Sequence, residues 1–129
     1  MIYLDASVVL AELFAEDRRP SPGFWKNPFV SSRLLEYEIW TRFHASGAAA
    51  RHGEAVRQLL SAVSFLELAP TVLARTVDPF PAPVRTLDAL HLATALYFAE
   101  RQRKRLEVAT YDLRMAAAAR AVGLEVVEP

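Results

Sequence analysis

The chain of 129 residues contains no cysteine. This absence excludes disulfide bonds, thiolate zinc sites and cysteine nucleophiles, and it is compatible with a reducing cytosol. The chain also lacks any apolar run close to the about 20 residues that a membrane helix needs. Its apolar start is interrupted by Asp5 and has no basic segment before it, which does not fit a signal peptide. We therefore expect a cytoplasmic protein without a membrane anchor.

Neither sign of charge is in excess, because 15 basic residues balance 15 acidic ones. Bulk charge thus gives no indication of a nucleic-acid partner, and any such binding would need a local patch. A hydrophobic content of 53% and a charged content of 23% are typical of an ordered globular protein. The length is sufficient for one hydrophobic core, so we predict a single domain over residues 1–129.

Short apolar segments alternate along the chain with helical patterns. The predicted strands cover residues 2–4, 29–30, 65–69, 106–110 and 124–127. The predicted helices cover residues 8–15, about 31–46, 49–63, a short turn before 77, 86–101 and 113–122, with Ser7 and Thr86 as N-caps of the first and the fifth. This alternation predicts an α/β fold of three layers, α/β/α, with a central parallel sheet of about five strands.

Four acids lie where a divalent metal site could form. Asp5 and Asp112 directly follow apolar strand-like segments, whereas Glu38 and Asp88 interrupt segments patterned as buried helices. An isolated buried carboxylate is costly unless it is paired or metal-bound. Strand C-termini and helix N-termini face the same rim of a parallel α/β sheet, so the four acids are able to converge there. A hard cation such as Mg²⁺ would relieve their mutual repulsion.

Each of these residues also has a purely structural interpretation. Asp5 is able to cap the following helix, and Asp88 in a first helical turn gains about 0.3–1 kcal/mol from the helix dipole. Glu36 competes with Glu38, but residues two apart point to different faces of a helix, so we expect only one at the site. His91 lies three residues after Asp88 and is better explained as a hydrogen-bonded core histidine than as a general base.

Several sequence blocks together resemble one known family. They are Ile2-Tyr3-Leu4-Asp5-Ala6-Ser7, the segment 31–38 (SSRLLEYE), the segment 87–95 (LDALHLATA), the segment 110–115 (TYDLRM) and the segment 121–127 (AVGLEVV). In this order they span nearly the whole chain. The chain resembles a PIN domain of the VapC-type toxins from bacterial toxin–antitoxin systems.

The resemblance implies a metal-dependent endoribonuclease that uses Mg²⁺, with Mn²⁺ as a substitute. It implies catalytic and metal-binding roles for Asp5, Glu38, Asp88 and Asp112. It implies weaker roles near a metal-bound water or phosphate for Ser7, Thr110 and Arg114. The expected partners are an RNA substrate, a cognate antitoxin and a second copy of the chain in a homodimer.

Two other functions remain open from the sequence. A phosphohydrolase with Asp5 as nucleophile would need a second aspartate two residues later, and that position holds Ser7. A catalytically silent PIN-like binding module would not need all four acids, and their presence argues against it.

Overall fold

Five short strands form the centre of the molecule, and the computed structural model describes residues 1–129. The strands are β1 (Ile2–Leu4), β2 (Phe29–Ser32), β3 (Val63–Leu66), β4 (Glu107–Ala109) and β5 (Glu125–Val127). They pair in the order β3-β2-β1-β4-β5, and every pair is parallel. The predicted parallel sheet of five strands is confirmed.

Six α-helices surround this sheet. They are α1 (Ala6–Leu13), α2 (Leu34–Ser46), α3 (Ala49–Ser61), α4 (Pro70–Arg75), α5 (Thr86–Gln102) and α6 (Leu113–Ala121), and a 3₁₀ turn covers Phe24–Lys26. None of these helices is long and apolar enough to cross a membrane.

Two apolar cores, one on each face of the sheet, produce the three layers. Ile2 and Leu4 pack with residues of α1, α2 and α3 on one face. Tyr3 points to the opposite face and packs with Leu92 of α5 and Met115 of α6. This division follows from the alternation of side chains along a strand. It confirms the three-layer α/β/α architecture expected from the sequence.

Several predicted helix and strand boundaries were wrong. Helix α1 begins at Ala6 with Asp5 as its extended N-cap residue, so Ser7 lies inside the first turn and is not the cap. Arg85 takes the N-cap position of α5, and Thr86 is its first helical residue. Strand β3 begins at Val63, which pairs with Phe29, and this pairing ends α3 earlier than periodicity alone indicated.

Candidate functional site

The strand order reverses at β1, which has β2 on one side and β4 on the other. In parallel α/β sheets, ligands bind beyond the carboxyl ends of the strands at such a reversal. Asp5 follows β1 directly, and Thr110 follows β4 directly. The candidate site is therefore built at the point of the fold where binding sites are most often found.

Two hydroxyl groups hold the carboxylate of Asp5. Ser7 Oγ and Thr110 Oγ1 each donate to Asp5 Oδ2 at 2.7 Å. The backbone N–H of Tyr111 donates to Ser7 Oγ at 2.9 Å, and that of Asp112 donates to Thr110 Oγ1 at 3.0 Å. Because each hydroxyl accepts a backbone N–H, its own proton is directed at Asp5. Asp5 Oδ1 takes part in neither of these hydrogen bonds.

Asp112 caps helix α6. Its Oδ1 accepts from the backbone N–H of Arg114 at 2.8 Å and of Met115 at 3.3 Å. The side chain is exposed, and its second oxygen, Oδ2, is not used by the cap. Arg114 is also exposed, in the first turn of α6.

Glu38 is hydrogen-bonded to a buried histidine. Its Oε1 is hydrogen-bonded to Nε2 of His91, and His91 Nδ1 lies 2.7 Å from the hydroxyl of Tyr3. Burial lowers the pKa of His91, but the hydrogen bond that the ring makes to Glu38 and the charges of Glu38, Asp5 and Asp88 outweigh it, so the pKa is raised. Three of the four acids therefore act electrostatically on one imidazole ring.

Tyr3 is a member of this site that the sequence analysis missed. It is fully buried, and burial is the main reason why the pKa of its hydroxyl is raised. The available signal was a tyrosine in a fully buried strand, since a buried phenol needs a hydrogen-bond partner. We expected His91 to be a hydrogen-bonded core residue. It is 1% exposed, and both of its ring nitrogens make hydrogen bonds.

Glu36 lies in a different environment from Glu38. Its Oε2 is 3.2 Å from Nη1 of Arg33, which also pairs with Glu67. Asp88 is half-buried in the first turn of α5, where its Oδ2 accepts from the backbone N–H of Arg85 at 3.3 Å. In their present orientations, no three of the chain's acidic and histidine side chains are close enough to hold one metal ion.

The residues nevertheless fit a hard divalent cation in their chemistry. Carboxylate oxygens are the ligands that Mg²⁺ and Mn²⁺ prefer. Asp5 and Asp112 each present one oxygen that their hydrogen bonds leave free, and Glu38 presents Oε2.

Comparison with known proteins identifies the family. The profile of the PIN domain family matches residues 2–127. Ribonuclease VapC46 of Mycobacterium tuberculosis is 33% identical over 134 residues, which cover 99% of this chain and 97% of that protein. Ribonuclease VapC47 of the same organism is 29% identical over 141 residues, with coverages of 100% and 97%.

A solved toxin–antitoxin complex from Klebsiella pneumoniae contains a chain of the same fold. The two chains align with a TM-score of 0.68 and 20% identity, covering 100% of this chain and 98% of the other. The sheet order, the position of Asp5 at its reversal and the family profile agree, and this chain belongs to the PIN domain family.

Proposed function

We propose that this protein is a metal-dependent endoribonuclease, the toxin component of a VapBC-type toxin–antitoxin pair. The observation that carries the proposal is the pair of hydroxyls, Ser7 and Thr110, that orient Asp5 at the strand-order reversal. A carboxylate held in this way, with a free oxygen, is suited to bind a cation. The reaction class comes from the relatives, which are named ribonucleases.

The acids Asp5, Glu38, Asp88 and Asp112 would hold Mg²⁺, or Mn²⁺ in its place. When bound, such an ion lowers the pKa of a bound water and neutralises charge on the scissile phosphate. Ser7 and Thr110 orient Asp5 through their hydroxyls. Arg114, exposed in the first turn of α6, would contact a phosphate through its guanidinium group.

The test compares Asp5→Asn and Glu38→Gln with Glu36→Gln in an RNA cleavage assay with Mg²⁺. We expect the first two to reduce the rate of cleavage more than about 100-fold. Loss of a residue that only hydrogen-bonds a metal ligand costs up to about 100-fold, and loss of the ligand itself should cost more. Glu36→Gln is the matched control, because Glu36 bonds Arg33 and has no contact with His91. It should retain wild-type activity.

Other outcomes of this assay are equally informative. Full activity of Asp5→Asn would refute the proposed site. If Glu36→Gln lost RNA cleavage and Glu38→Gln retained it, Glu36 would be the metal ligand in place of Glu38. A folded wild-type protein that binds RNA and never cleaves it, with either Mg²⁺ or Mn²⁺, would favour a silent binding module.

An antitoxin is the partner that the surface around the acids favours. Exposed apolar residues adjoin three of the four acids in sequence: Tyr37 is 62% exposed, Leu87 46% and Leu113 80%. Apolar groups around an acidic site fit a partner segment that is both apolar and basic. We expect such an antitoxin segment to compete with Mn²⁺, and binding indifferent to both Mn²⁺ and Asp5→Asn would contradict this.

A homodimer is the expected state in solution. The apolar surfaces of α2 (residues 40–43) and α5 (residues 87–98), which motivated this expectation, are largely covered within the chain, but Leu73 and Val77 remain 42% and 86% exposed. Light scattering at high protein concentration measures the mass directly. A mass of 14.4 kDa, that of one chain, would contradict the dimer.

A further inference from the structure

A chain of hydrogen bonds connects the backbone of β2 with Glu38. The backbone N–H of Ser32 donates to the hydroxyl of Tyr3 at 3.1 Å, and this hydroxyl lies 2.7 Å from His91 Nδ1. His91 Nε2 then bonds Glu38 Oε1. Tyr3 and His91 are 0% and 1% exposed, so water does not compete for the hydrogen bond between these two side chains.

Two members of this chain have a fixed role, because the backbone N–H of Ser32 only donates and the carboxylate of Glu38 only accepts. A backbone N–H only donates, so the oxygen of Tyr3 accepts from Ser32. Ser31 also lies near the phenol, but its hydroxyl donates to the carbonyl of Leu4 at 2.7 Å. When the ring is neutral and its proton is donated from Nε2 to the carboxylate of Glu38, Nδ1 is left as the acceptor for the phenol proton.

The hydrogen bond between His91 and Glu38 has the same direction in both charge states of the ring. In the neutral ring Nε2 carries the only proton, and in the charged ring both nitrogens are protonated. In either state Nε2–H donates to Glu38 Oε1. The other tautomer would place a ring lone pair against the carboxylate, which is costly.

We propose that Tyr3 and His91 are positioning residues that hold Glu38 by Oε1 and keep Oε2 available for the metal ion. This inference rests on the proposed function, because it takes Glu38 as a metal ligand. Groups that hydrogen-bond a metal-binding carboxylate orient it, and their loss typically weakens metal affinity about 10–100-fold. Neither residue touches the substrate in this proposal.

A solely structural role for the same residues makes a different prediction. A histidine that merely satisfies a buried tyrosine would, when replaced, lower stability and leave the metal affinity of the folded protein unchanged. Metal affinity and stability must therefore be measured separately on the same variants.

The variants are Tyr3→Phe, His91→Gln and His91→Leu in the full chain. Tyr3→Phe keeps the ring and removes the hydroxyl. The amide of His91→Gln keeps a donor near the Nε2 position, whereas His91→Leu removes it at similar volume. Tyr97→Phe, on the same helix as His91, and His44→Gln, at an exposed histidine, are the matched controls.

Mn²⁺ binding followed by electron paramagnetic resonance is the first readout. We expect Tyr3→Phe and His91→Leu to weaken Mn²⁺ binding about 10–100-fold, His91→Gln to recover most of that loss, and the controls to match wild type. Unfolding in urea identifies any variant that fails to fold. Should His91→Leu be unfolded, Tyr3→Phe still carries the test.

The second readout is nitrogen-15 NMR of the imidazole rings in metal-free protein at alkaline pH. The chain has only three histidines, and the other two, His44 and His52, are exposed. We expect His91 to show the Nε2–H tautomer in wild type, and the same tautomer with a changed Nδ1 chemical shift in Tyr3→Phe, because Nδ1 then loses the phenol proton that it accepts.

Failure of this inference and failure of the proposed function give different results. A wild type that binds Mn²⁺ and cleaves RNA, with unchanged Mn²⁺ affinity in folded Tyr3→Phe, would overturn the positioning role alone. A wild-type ring with its proton on Nδ1 would overturn it as well. A wild type that does not bind Mn²⁺ would overturn the proposed function first, and the positioning role with it.

Discussion

Asp112 has two separable contributions, because it caps α6 with Oδ1 and is a proposed metal ligand. Asp112→Ala removes both, and loss of an N-cap typically lowers the free energy of unfolding by about 1 kcal/mol. Asp112→Ser restores a capping oxygen without a carboxylate. We expect Asp112→Ser to unfold in urea near wild type but to bind Mn²⁺ as weakly as Asp112→Ala. Recovered Mn²⁺ binding in Asp112→Ser would show that this carboxylate is not a ligand.

His91 makes the stability of the metal-free protein depend on pH. Its pKa in the folded state is raised, since the bond and charge of Glu38 and the charges of Asp5 and Asp88 outweigh burial. A raised pKa contributes stability that is complete below the unfolded value of about 6.5 and is lost as pH rises through the folded pKa.

Urea unfolding at a series of pH values measures this contribution. We expect the difference in free energy of unfolding between wild type and His91→Gln to decrease as pH rises above the unfolded pKa. A difference that grows with pH would mean that the folded protein holds the ring neutral and lowers its pKa.

The type of each element was predictable from sequence, while its exact ends were not. Short apolar segments identified β1 and β4, and a helical segment that is apolar almost all round identified α5. The start of α1 was missed because Asp5 serves both as the residue after a strand and as the extended N-cap of the next helix. Ser7, the preferred residue type for a cap, bonds Asp5 and Thr110 instead, which only the pairing of β1 with β4 makes possible.

Helix α2 ends at a glycine that needs a left-handed backbone. Gly47 has φ of +71°, and a Cβ there would meet no atom within 4 Å, so the cost of alanine is conformational only. We expect Gly47→Ala to lower the free energy of unfolding by about 1–2 kcal/mol. Gly23 is the matched control, because its φ of −68° suits alanine and its surroundings are equally open.

Gly23→Ala should stabilise the protein by about 0.4–1 kcal/mol through the unfolded state. Urea unfolding of both variants gives the comparison. Equal effects of the two substitutions would contradict the left-handed cap at Gly47.

The candidate site includes residues that the sequence alone did not indicate. The four acids were predicted as site residues because charged residues stand out inside apolar segments. Tyr3 is an apolar-patterned residue of a buried strand, and its importance comes from His91, 88 positions away. The preference for Glu38 over Glu36 likewise depends on which face of α2 meets α5. These contacts arise from the packing of distant elements, which no local pattern specifies.

Metal binding should stabilise the entire fold, because the unfolded chain does not hold these carboxylates together. At a free Mn²⁺ concentration of 100 times its dissociation constant, binding adds about 2.7 kcal/mol to the free energy of unfolding. We expect this increase in wild type and its absence in Asp5→Asn, measured by urea unfolding with Mn²⁺ and with a chelator.

The chelated protein gives the complementary result. Asp5→Asn removes one of the negative charges that act together on His91, and the asparagine oxygen is still able to accept from Ser7 and Thr110. Because repulsion among the carboxylates is relieved, Asp5→Asn should be at least as stable as wild type in chelator. Strong destabilisation of Asp5→Asn in chelator would instead indicate that Asp5 is a structural residue. If Mn²⁺ raised the free energy of unfolding equally in wild type and in Asp5→Asn, the ion would bind elsewhere.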